Sequence, residues 1–106
     1  SWAAEPPASM TVSELQNALK QAKRYLDLVG FSYQGMIDQL EYEKYTHEEA
    51  VYAADNCGAD WKEEAVKKAK EYLNLTSFSR QGLIDQLKYD KFTDEEAEYA
   101  VDTIEY

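Results

Sequence analysis

Carboxylates are the side chains of this sequence with the greatest capacity for chemistry. The 106 residues include 21 Asp and Glu against 11 Lys and Arg, a net charge of −10 at pH 7. Such a surface repels phosphate backbones and anionic membranes and attracts cationic partners, at rates that depend on salt. The acids are dense in residues 41–60 and 85–105. From them we predict a partner-binding acidic face made of Glu41, Glu43, Glu48, Glu49, Asp90, Asp94, Glu95, Glu98 and Asp102.

The same acids have a second, compatible interpretation. Glu48, Glu49, Asp94, Glu95 and Glu96 fall in predicted first helical turns, where the helix dipole favours negative charge. Capping needs only some of them, so the others remain available to a cationic partner. The sequence leaves open whether these acids form a docking surface or only a solvated face.

Residues suited to catalysis or metal binding are few. His47 is the single histidine, so the sequence has no histidine pair for a metal ion. Cys57 is the single cysteine, and neither a disulfide partner nor a general base is evident for it. No glycine-rich phosphate loop is present. We therefore expect a protein that is not an enzyme and that holds no cofactor or metal.

A ten-residue segment that occurs twice organises the chain. The copies are Phe-Ser-Tyr-Gln-Gly-Met-Ile-Asp-Gln-Leu at residues 31–40 and Phe-Ser-Arg-Gln-Gly-Leu-Ile-Asp-Gln-Leu at residues 78–87, 47 positions apart. The similarity extends without a gap from residues 18–56 to residues 65–103, with 24 identities in 39 aligned positions. One module has therefore been duplicated.

Hydrophobic spacing predicts three short helices in each copy, in an all-α chain. Apolar residues recur at i, i+3, i+4 and i+7, and no stretch alternates with period two for long enough to form a strand. Each unit has about 45 residues, a size that rarely supports its own core, so we expect the two units to share a core or dock closely. The predicted units are an N-terminal tail or linker stub at 1–12, repeat 1 at 13–57 and repeat 2 at 58–106. The predicted N-caps are Ser13, Ser32, Thr46, Asp60, Ser79 and Thr93.

Two recurring features of the duplicated segment invite a structural explanation. Gly35 recurs as Gly82 in a first helical turn, and because glycine costs about 1 kcal/mol of helix propensity, we expect another backbone to pass close by. The Asp-Gln pair of residues 38–39 recurs at residues 85–86. We expect these polar pairs to hold helices in register by hydrogen bonds rather than to form a site.

One position changes its character between the copies. Tyr33 in the first copy corresponds to Arg80 in the second. A position that varies in this way is expected to be exposed, where it could tune recognition.

The repeated pattern resembles a known family. Each copy contains Ala-x-x-x-Ala-x-x-Tyr-Leu, followed by Phe-Ser-x-Gln-Gly-Leu-Ile-Asp-Gln-Leu and Phe-Thr-x-Glu-Glu-Ala-x-Tyr-Ala, with Met36 and Tyr45 as variants in the first copy. This is similar to the Ltp-like, host cell surface-exposed lipoprotein repeat, over residues 13–105. The resemblance implies a tandem of two three-helix, helix-turn-helix-like repeats.

The resemblance also implies a function and a location. The family occurs in Gram-positive bacteria and their temperate phages, and its members are typically lipid-anchored at the extracellular face of the cytoplasmic membrane. Phage members act in superinfection exclusion, blocking DNA injection by a second phage, and are thought to engage the basic end of its tape measure protein. This chain shows no signal peptide or lipidated N-terminal cysteine, and Cys57 lies between the repeats. We therefore expect a trimmed, monomeric ectodomain whose membrane contact is a lipid anchor outside this chain.

Three functional hypotheses follow. The first is a non-enzymatic protein-binding module that captures a basic segment of a phage tape measure protein through its acidic face. The second is a bacterial cell-surface interaction or adhesion module unrelated to phage. The third, a DNA-binding regulator, is disfavoured because the third helices carry acids where a recognition helix carries bases. The bases lie instead on the first helices, at Lys20, Lys23, Arg24, Lys67, Lys68 and Lys70.

Overall fold

Six α-helices make up the structure, a computed structural model that describes residues 11–106. No strand occurs within those residues, and the predicted all-α fold is confirmed. The predicted tail falls almost entirely on residues 1–10, outside the described part of the chain. The described molecule is elongated, measuring 53 × 22 × 18 Å. The helices are α1 (Val12–Leu28), α2 (Tyr33–Tyr42), α3 (His47–Asn56), α4 (Trp61–Leu75), α5 (Arg80–Tyr89) and α6 (Asp94–Thr103).

Each repeat has its own small core. In repeat 1, Ala18 and Ala22 of α1 pack with the alanines of α3 over Met36, Ile37 and Leu40 of α2. Repeat 2 copies this arrangement, with Leu83, Ile84 and Leu87 of α5 in the equivalent places. Small residues on the facing helices allow close helix packing. The repeats therefore have separate cores and do not share one.

The N-caps follow the sequence prediction with one exception. Ser32, Thr46, Asp60, Ser79 and Thr93 all accept backbone N–H groups of their helices, and Thr46 and Thr93 form full capping boxes. The predicted cap at Ser13 is wrong. Thr11 caps α1 instead, because its hydroxyl accepts the N–H of Glu14 at 3.1 Å. Helix α1 thus begins at Val12, two residues earlier than predicted, and the hydrophobic spacing does not mark that start.

The helix C-termini use residues that sequence patterns do not single out. Lys44, Lys91 and Glu105 follow α2, α5 and α6 with φ of 76°, 74° and 59°. In each case the next residue donates its N–H back to the last turn, as Tyr45 does to Leu40 at 3.1 Å. This is the Schellman arrangement, which glycine usually occupies. Because lysine and glutamate occupy these positions, the sequence gives no sign of the left-handed backbone.

The space for a side chain at each recurring glycine is limited by the cap serine of its own helix rather than by another backbone. A Cβ on Gly35 would lie 2.7 Å from the Ser32 hydroxyl, and one on Gly82 would lie 2.8 Å from the Ser79 hydroxyl. The nearest other backbone atom to Gly35 is the Asp90 carbonyl oxygen at 3.7 Å, an ordinary contact. The expectation of a close backbone at these two positions is therefore wrong.

Gly30 is the glycine that a neighbouring helix approaches. A Cβ there would lie 2.8 Å from the Lys68 nitrogen and 2.9 Å from the Glu64 carbonyl oxygen, both backbone atoms of α4. The α1–α2 connection can therefore lie directly on α4 only because this residue has no side chain. Position 77 of repeat 2, which corresponds to Gly30, is an exposed serine.

Side chains of α4 bind the same connection and complete the joint between the repeats. Glu71 accepts the N–H of Gly30 at 2.8 Å, and Glu64 accepts that of Phe31 at 3.0 Å. Lys67 donates to the carbonyl oxygen of Leu26 at the end of α1. These bonds satisfy backbone groups that the end of α1 and the α1–α2 connection would otherwise leave open. We call this set of contacts the polar joint.

Three further contacts reinforce the polar joint. The Ser32 hydroxyl donates to the Asp90 carbonyl oxygen at 2.5 Å. Lys91 forms an ion pair with Asp38 of α2. Trp61, the first residue of α4, packs against the repeat 1 core. The two repeats are thus tied at both ends of their contact.

The described residues contain no helix that is both long and apolar enough to cross a bilayer.

Substituting Gly30 tests the polar joint. We expect Gly30→Ala to lower the free energy of unfolding by about 1–3 kcal/mol, because the new Cβ overlaps α4 backbone that cannot move as a side chain can. At the equivalent position of repeat 2, Ser77→Ala keeps the existing Cβ and only removes the hydroxyl of an exposed residue, so it should alter the free energy of unfolding by less than about 0.5 kcal/mol. Chemical denaturation of both variants makes the comparison. Equal effects would show that the close approach at Gly30 contributes nothing.

The Asp38–Lys91 pair predicts a pH dependence. The hydrogen bond from Lys91 lowers the pKa of Asp38 below its ordinary value of 3.8. A lowered pKa in the folded state stabilises at neutral pH, and that contribution is lost as the pH falls through the folded-state pKa.

The matched variants are Asp38→Asn and Asp85→Asn, since Asp85 occupies the equivalent position in repeat 2. Asp38→Asn should destabilise by about 0.5 kcal/mol near pH 7, a small value because the pair is partly exposed. The difference from the unsubstituted protein should shrink as the pH is lowered to about 3. Urea denaturation across this range measures it. A deficit that stays constant with pH, or that Asp85→Asn reproduces, would contradict the assignment.

Candidate protein-binding surface

Helix α6 carries the densest group of the predicted acids. It packs on α4 and α5 through Ala97, Ala100 and Val101, which are fully buried. Asp94, Glu95, Glu98 and Asp102 are all exposed. Asp94, Glu98 and Asp102 are spaced four residues apart, so they share one side of the helix. The structure thus brings these four predicted acids together on one element.

Three of these four acids have a basic neighbour. Asp94 lies 3.1 Å from Lys88, Glu95 lies 4.0 Å from Lys62, and Asp102 lies 2.5 Å from Arg80. Glu98 makes no ion pair within residues 11–106. Exposed pairs of this kind contribute about 0–1 kcal/mol each. A cationic partner can therefore displace them at low cost, although they reduce the charge that it meets.

The repeat 1 acids lie in a different setting. Glu41 contacts the His47 ring nitrogen at 2.5 Å, and Glu48 is exposed beside it in the first turn of α3. Glu43 accepts hydrogen bonds from Gln21 and Gln39, both at 3.0 Å, and so links α1 to α2. Glu41 and Glu48 are thus available at the α2–α3 corner. Glu43 instead belongs to a hydrogen-bond network that joins α1 to α2.

Glu49 does not lie on the predicted face. The residue is only 2% exposed, and its carboxylate accepts the Thr46 N–H at 2.8 Å as part of the capping box. Its other oxygen is buried without a hydrogen-bond partner. The placement of Glu49 among the exposed acids is therefore wrong, because the cap draws this side chain back onto its own helix.

Asp90 lies at the polar joint rather than on an open face. Its carboxylate accepts a hydrogen bond from the Tyr72 hydroxyl, and its carbonyl oxygen accepts one from Ser32. Burial, together with this hydrogen bond to Asp90, raises the pKa of Tyr72 to about 12. Gln86 donates to the same hydroxyl at 3.1 Å. Asp90 is half-buried and separate from the acids of α6.

The recurring glutamines have the structural role that the sequence predicts. Gln39 reaches the Tyr25 hydroxyl at 3.3 Å, as Gln86 reaches that of Tyr72. The aspartate of each pair accepts from the glutamine one turn earlier in its own helix. These residues bind the first and second helices of each repeat together.

At the position that differs between the copies, each side chain binds the equivalent aspartate of its own repeat. Tyr33 donates to Asp55 at 2.7 Å and packs edge-on against Trp61, with ring centroids 5.6 Å apart. The hydrogen bond to Asp55 raises the pKa of Tyr33. Arg80 binds Asp102, which is the counterpart of Asp55. The aspartate is thus retained while its partner changes. Arg80 is exposed, as expected, but Tyr33 is half-buried at the joint.

Cys57 and His47 have ordinary environments. Cys57 caps the end of α3, is buried, and lies 3.5 Å from the Ala54 carbonyl oxygen. Burial raises the pKa of its thiol, which disfavours the reactive thiolate. Within residues 11–106 no group of three side chains is arranged to hold a metal ion.

Two neighbouring glutamates of α3 test the distinction between buried and exposed acids. Glu49→Ala should lower the free energy of unfolding by about 1–2 kcal/mol, because the Thr46 N–H loses its acceptor. Glu48→Ala removes the same charge from the same helical turn and should change it by no more than about 0.5 kcal/mol. Thermal or urea unfolding compares the two. Matching losses would argue that charge near the helix end, rather than the capping box, is what matters.

Comparison with known proteins identifies the family to which this two-repeat architecture belongs. The sequence model of the family described as host cell surface-exposed lipoprotein (Lipoprotein_Ltp) matches the chain twice, over residues 13–57 and 60–104. A solved structure of Ltp, a superinfection exclusion protein from the Streptococcus thermophilus temperate phage TP-J34, is similar with a TM-score of 0.80 and 38% identity. That match covers 87% of this chain and 96% of the other. The comparison with curated proteins found no match. Two family repeats in succession, in a fold shared along nearly its whole length, make this chain a member of the Ltp family of host cell surface-exposed lipoproteins.

Proposed function

We propose that this chain acts in superinfection exclusion by binding a protein of an incoming phage outside the cytoplasmic membrane. The observation that carries the proposal is the 38% identity to a superinfection exclusion protein over 96% of that protein's solved chain. A match of this extent includes both repeats and the joint between them. Fold alone would be a weak argument for function, but sequence similarity of this degree adds to it.

The partner that the surface favours is a basic protein segment. Helix α6 carries Asp94, Glu95, Glu96, Glu98 and Asp102 and no basic residue. Long-range attraction to such a surface raises association rates, and the effect weakens as salt is added. The segment that we propose is the basic end of a phage tape measure protein. Capture of that segment would hold back DNA injection.

The acids of α3 and α6 also argue against nucleic acid as the partner. The exposed acids include Glu48 in the first turn of α3 and Asp94 and Glu95 in that of α6. A third helix inserted into a DNA groove would place these carboxylates near phosphates, which repel them. The helix-turn-helix-like arrangement is therefore used for protein contact in this proposal.

The family supports a site of action at the cell surface. A lipid anchor outside the present chain would hold the two repeats at the extracellular face of the membrane. The tandem is 53 Å long in its described part. Capture at this position would meet the phage protein before its DNA crosses the membrane.

Infection assays test the biological role. Host cells that display the chain through a lipid anchor should resist several phages that they otherwise admit, while adsorption of the phage particles stays normal. Cells that display Gly30→Ala in equal amounts test whether this resistance needs the intact polar joint. Unchanged plaque counts with every phage would overturn the proposal and favour the alternative, a cell-surface interaction or adhesion module.

Neutral variants test the acidic face of α6. Glu98→Gln with Asp102→Asn removes two charges from α6 and leaves Arg80 without its partner. We expect binding of a basic tape measure peptide to weaken roughly fivefold at low salt, from about 0.5 kcal/mol per exposed charge contact.

The matched control is Glu14→Gln with Asp27→Asn, which removes one glutamate and one aspartate from exposed positions of α1. This variant should weaken binding less than about twofold, because its charges lie on the other repeat. Calorimetry at two salt concentrations measures both variants. Equal losses would mean that net charge, and not the face of α6, attracts the peptide.

A further inference from the structure

Each half of the polar joint has a counterpart that faces outward. Residues 76–79, which connect α4 to α5, correspond to the α1–α2 connection of repeat 1, and we call them the outer connection. Helix α1 likewise corresponds to α4. Ser79 of the outer connection is exposed, whereas its counterpart Ser32 is only 2% exposed in the joint. The duplication has therefore left two copies of the joint's halves at the ends of the tandem.

A second copy of the chain carries the half that the outer connection lacks. Lys44 and Asp85 are exposed and repeat the charges of Lys91 and Asp38, whose ion pair spans the polar joint. The α1 helix of one molecule could thus approach the outer connection of another as α4 approaches repeat 1. Such a head-to-tail contact does not close on itself and would join molecules into open chains.

Tyr106 takes the place at the outer connection that the neighbouring repeat takes at the polar joint. In repeat 1 the N–H of Phe31 donates to Glu64 of α4 at 3.0 Å. In repeat 2 the N–H of the corresponding Phe78 donates to the Tyr106 hydroxyl at 3.3 Å. The same hydroxyl donates to the Phe78 carbonyl oxygen. Both backbone groups of Phe78 are therefore occupied from within the molecule.

The turn after α6 brings Tyr106 to this position. Glu105 has φ of 59°, and the N–H of Tyr106 donates back to the Val101 carbonyl oxygen at 2.9 Å. The corresponding residues after α3 are Gly58, with φ of 80°, and Ala59. Both repeats thus turn in the left-handed region at this point, but an alanine has no group that could bind the backbone of the preceding connection.

Ser77 is a second obstacle to a docked helix. At the corresponding position, a Cβ on Gly30 would lie 2.8 Å from the backbone nitrogen of Lys68 in α4. Ser77 carries that Cβ, so a helix in the same geometry would overlap it. Arg24 of α1 stands where Glu71 accepts the Gly30 N–H, and a guanidinium group has no acceptor to offer.

We propose that Tyr106 and Ser77 form a terminal cap that keeps α1 of a second copy from docking on the outer connection. Repeat proteins need such caps because the open end of a terminal repeat is a copy of an internal interface. Tyr106 occupies the backbone groups that the docked helix would bind, and Ser77 supplies a Cβ where the contact requires glycine. This inference concerns self-association and goes beyond the proposed binding of a phage protein.

Hydrogen exchange tests the contact of Tyr106. Tyr106→Phe keeps the ring and removes only the hydroxyl that binds Phe78. We expect the Phe78 amide to exchange about fivefold faster, the effect of losing one hydrogen bond. The Phe31 amide, which Glu64 binds, is the internal reference and should keep its rate. An unchanged rate at Phe78 would overturn the role of Tyr106.

Removing the cap tests self-association. The open variant combines Ser77→Gly and Tyr106→Ala with Asn17→Glu and Arg24→Glu, which give α1 the two glutamates of α4. Sedimentation equilibrium at about 0.15 M salt should show its average mass rising with protein concentration. The unsubstituted protein should keep the monomer mass of 12.2 kDa. An open variant that stays monomeric at every concentration would overturn the inference.

A matched control isolates the cap from the other changes. It carries the same substitutions except that Tyr89→Ala, at an exposed tyrosine of the same repeat, replaces Tyr106→Ala. The control should associate about tenfold more weakly than the open variant, because the incoming helix must displace the two hydrogen bonds of Tyr106. Restoring Ser77 in the open variant should weaken association as well. Equal association of the open variant and the control would show that Tyr106 only stabilises its own repeat, and would overturn the cap.

Discussion

The contact of Gly30 with the backbone of α4 is the constraint on which the rest of the structure depends. Each repeat is close to the smallest size that supports a core, and each buries four or five alanines with a few larger residues. The joint adds hydrogen bonds from Glu64 and Glu71 to the connection that Gly30 opens. It turns two marginal three-helix units into one elongated body, so that surfaces on both repeats keep a constant relation.

Duplication and divergence have distinct roles in this molecule. The shared positions build the scaffold: cap serines and threonines, the glutamine that reaches a tyrosine hydroxyl, and the alanines between helices. Three residues of the polar joint occupy positions that differ between the copies. Glu64 and Glu71 replace Asn17 and Arg24 of the first copy, and Gly30 is replaced by serine in the second. The interface can therefore form once, between these two repeats in this order.

Charge and shape contribute differently to the candidate surface. Ion pairs with Lys62, Lys88 and Arg80 moderate the acids of α6, and the capping box removes Glu49 from the surface. A strongly negative composition thus overstates the charge that a partner meets. In the proposed function the exposed acids would set the attraction to a basic partner and its salt dependence.

Local interactions let the sequence determine the helices, because a cap, its turn and its apolar stripe lie within a few residues of one another. The register of 47 residues likewise revealed the duplication and the family pattern. Only the tertiary structure decided what depends on distant residues: the partner of Gly30 lies more than thirty positions away, and that of Ser32 is residue 90. It also decided the left-handed lysines at 44 and 91, which carry no compositional mark. Which acids stay exposed was settled by packing and pairing, since composition counts charges but does not say where they point.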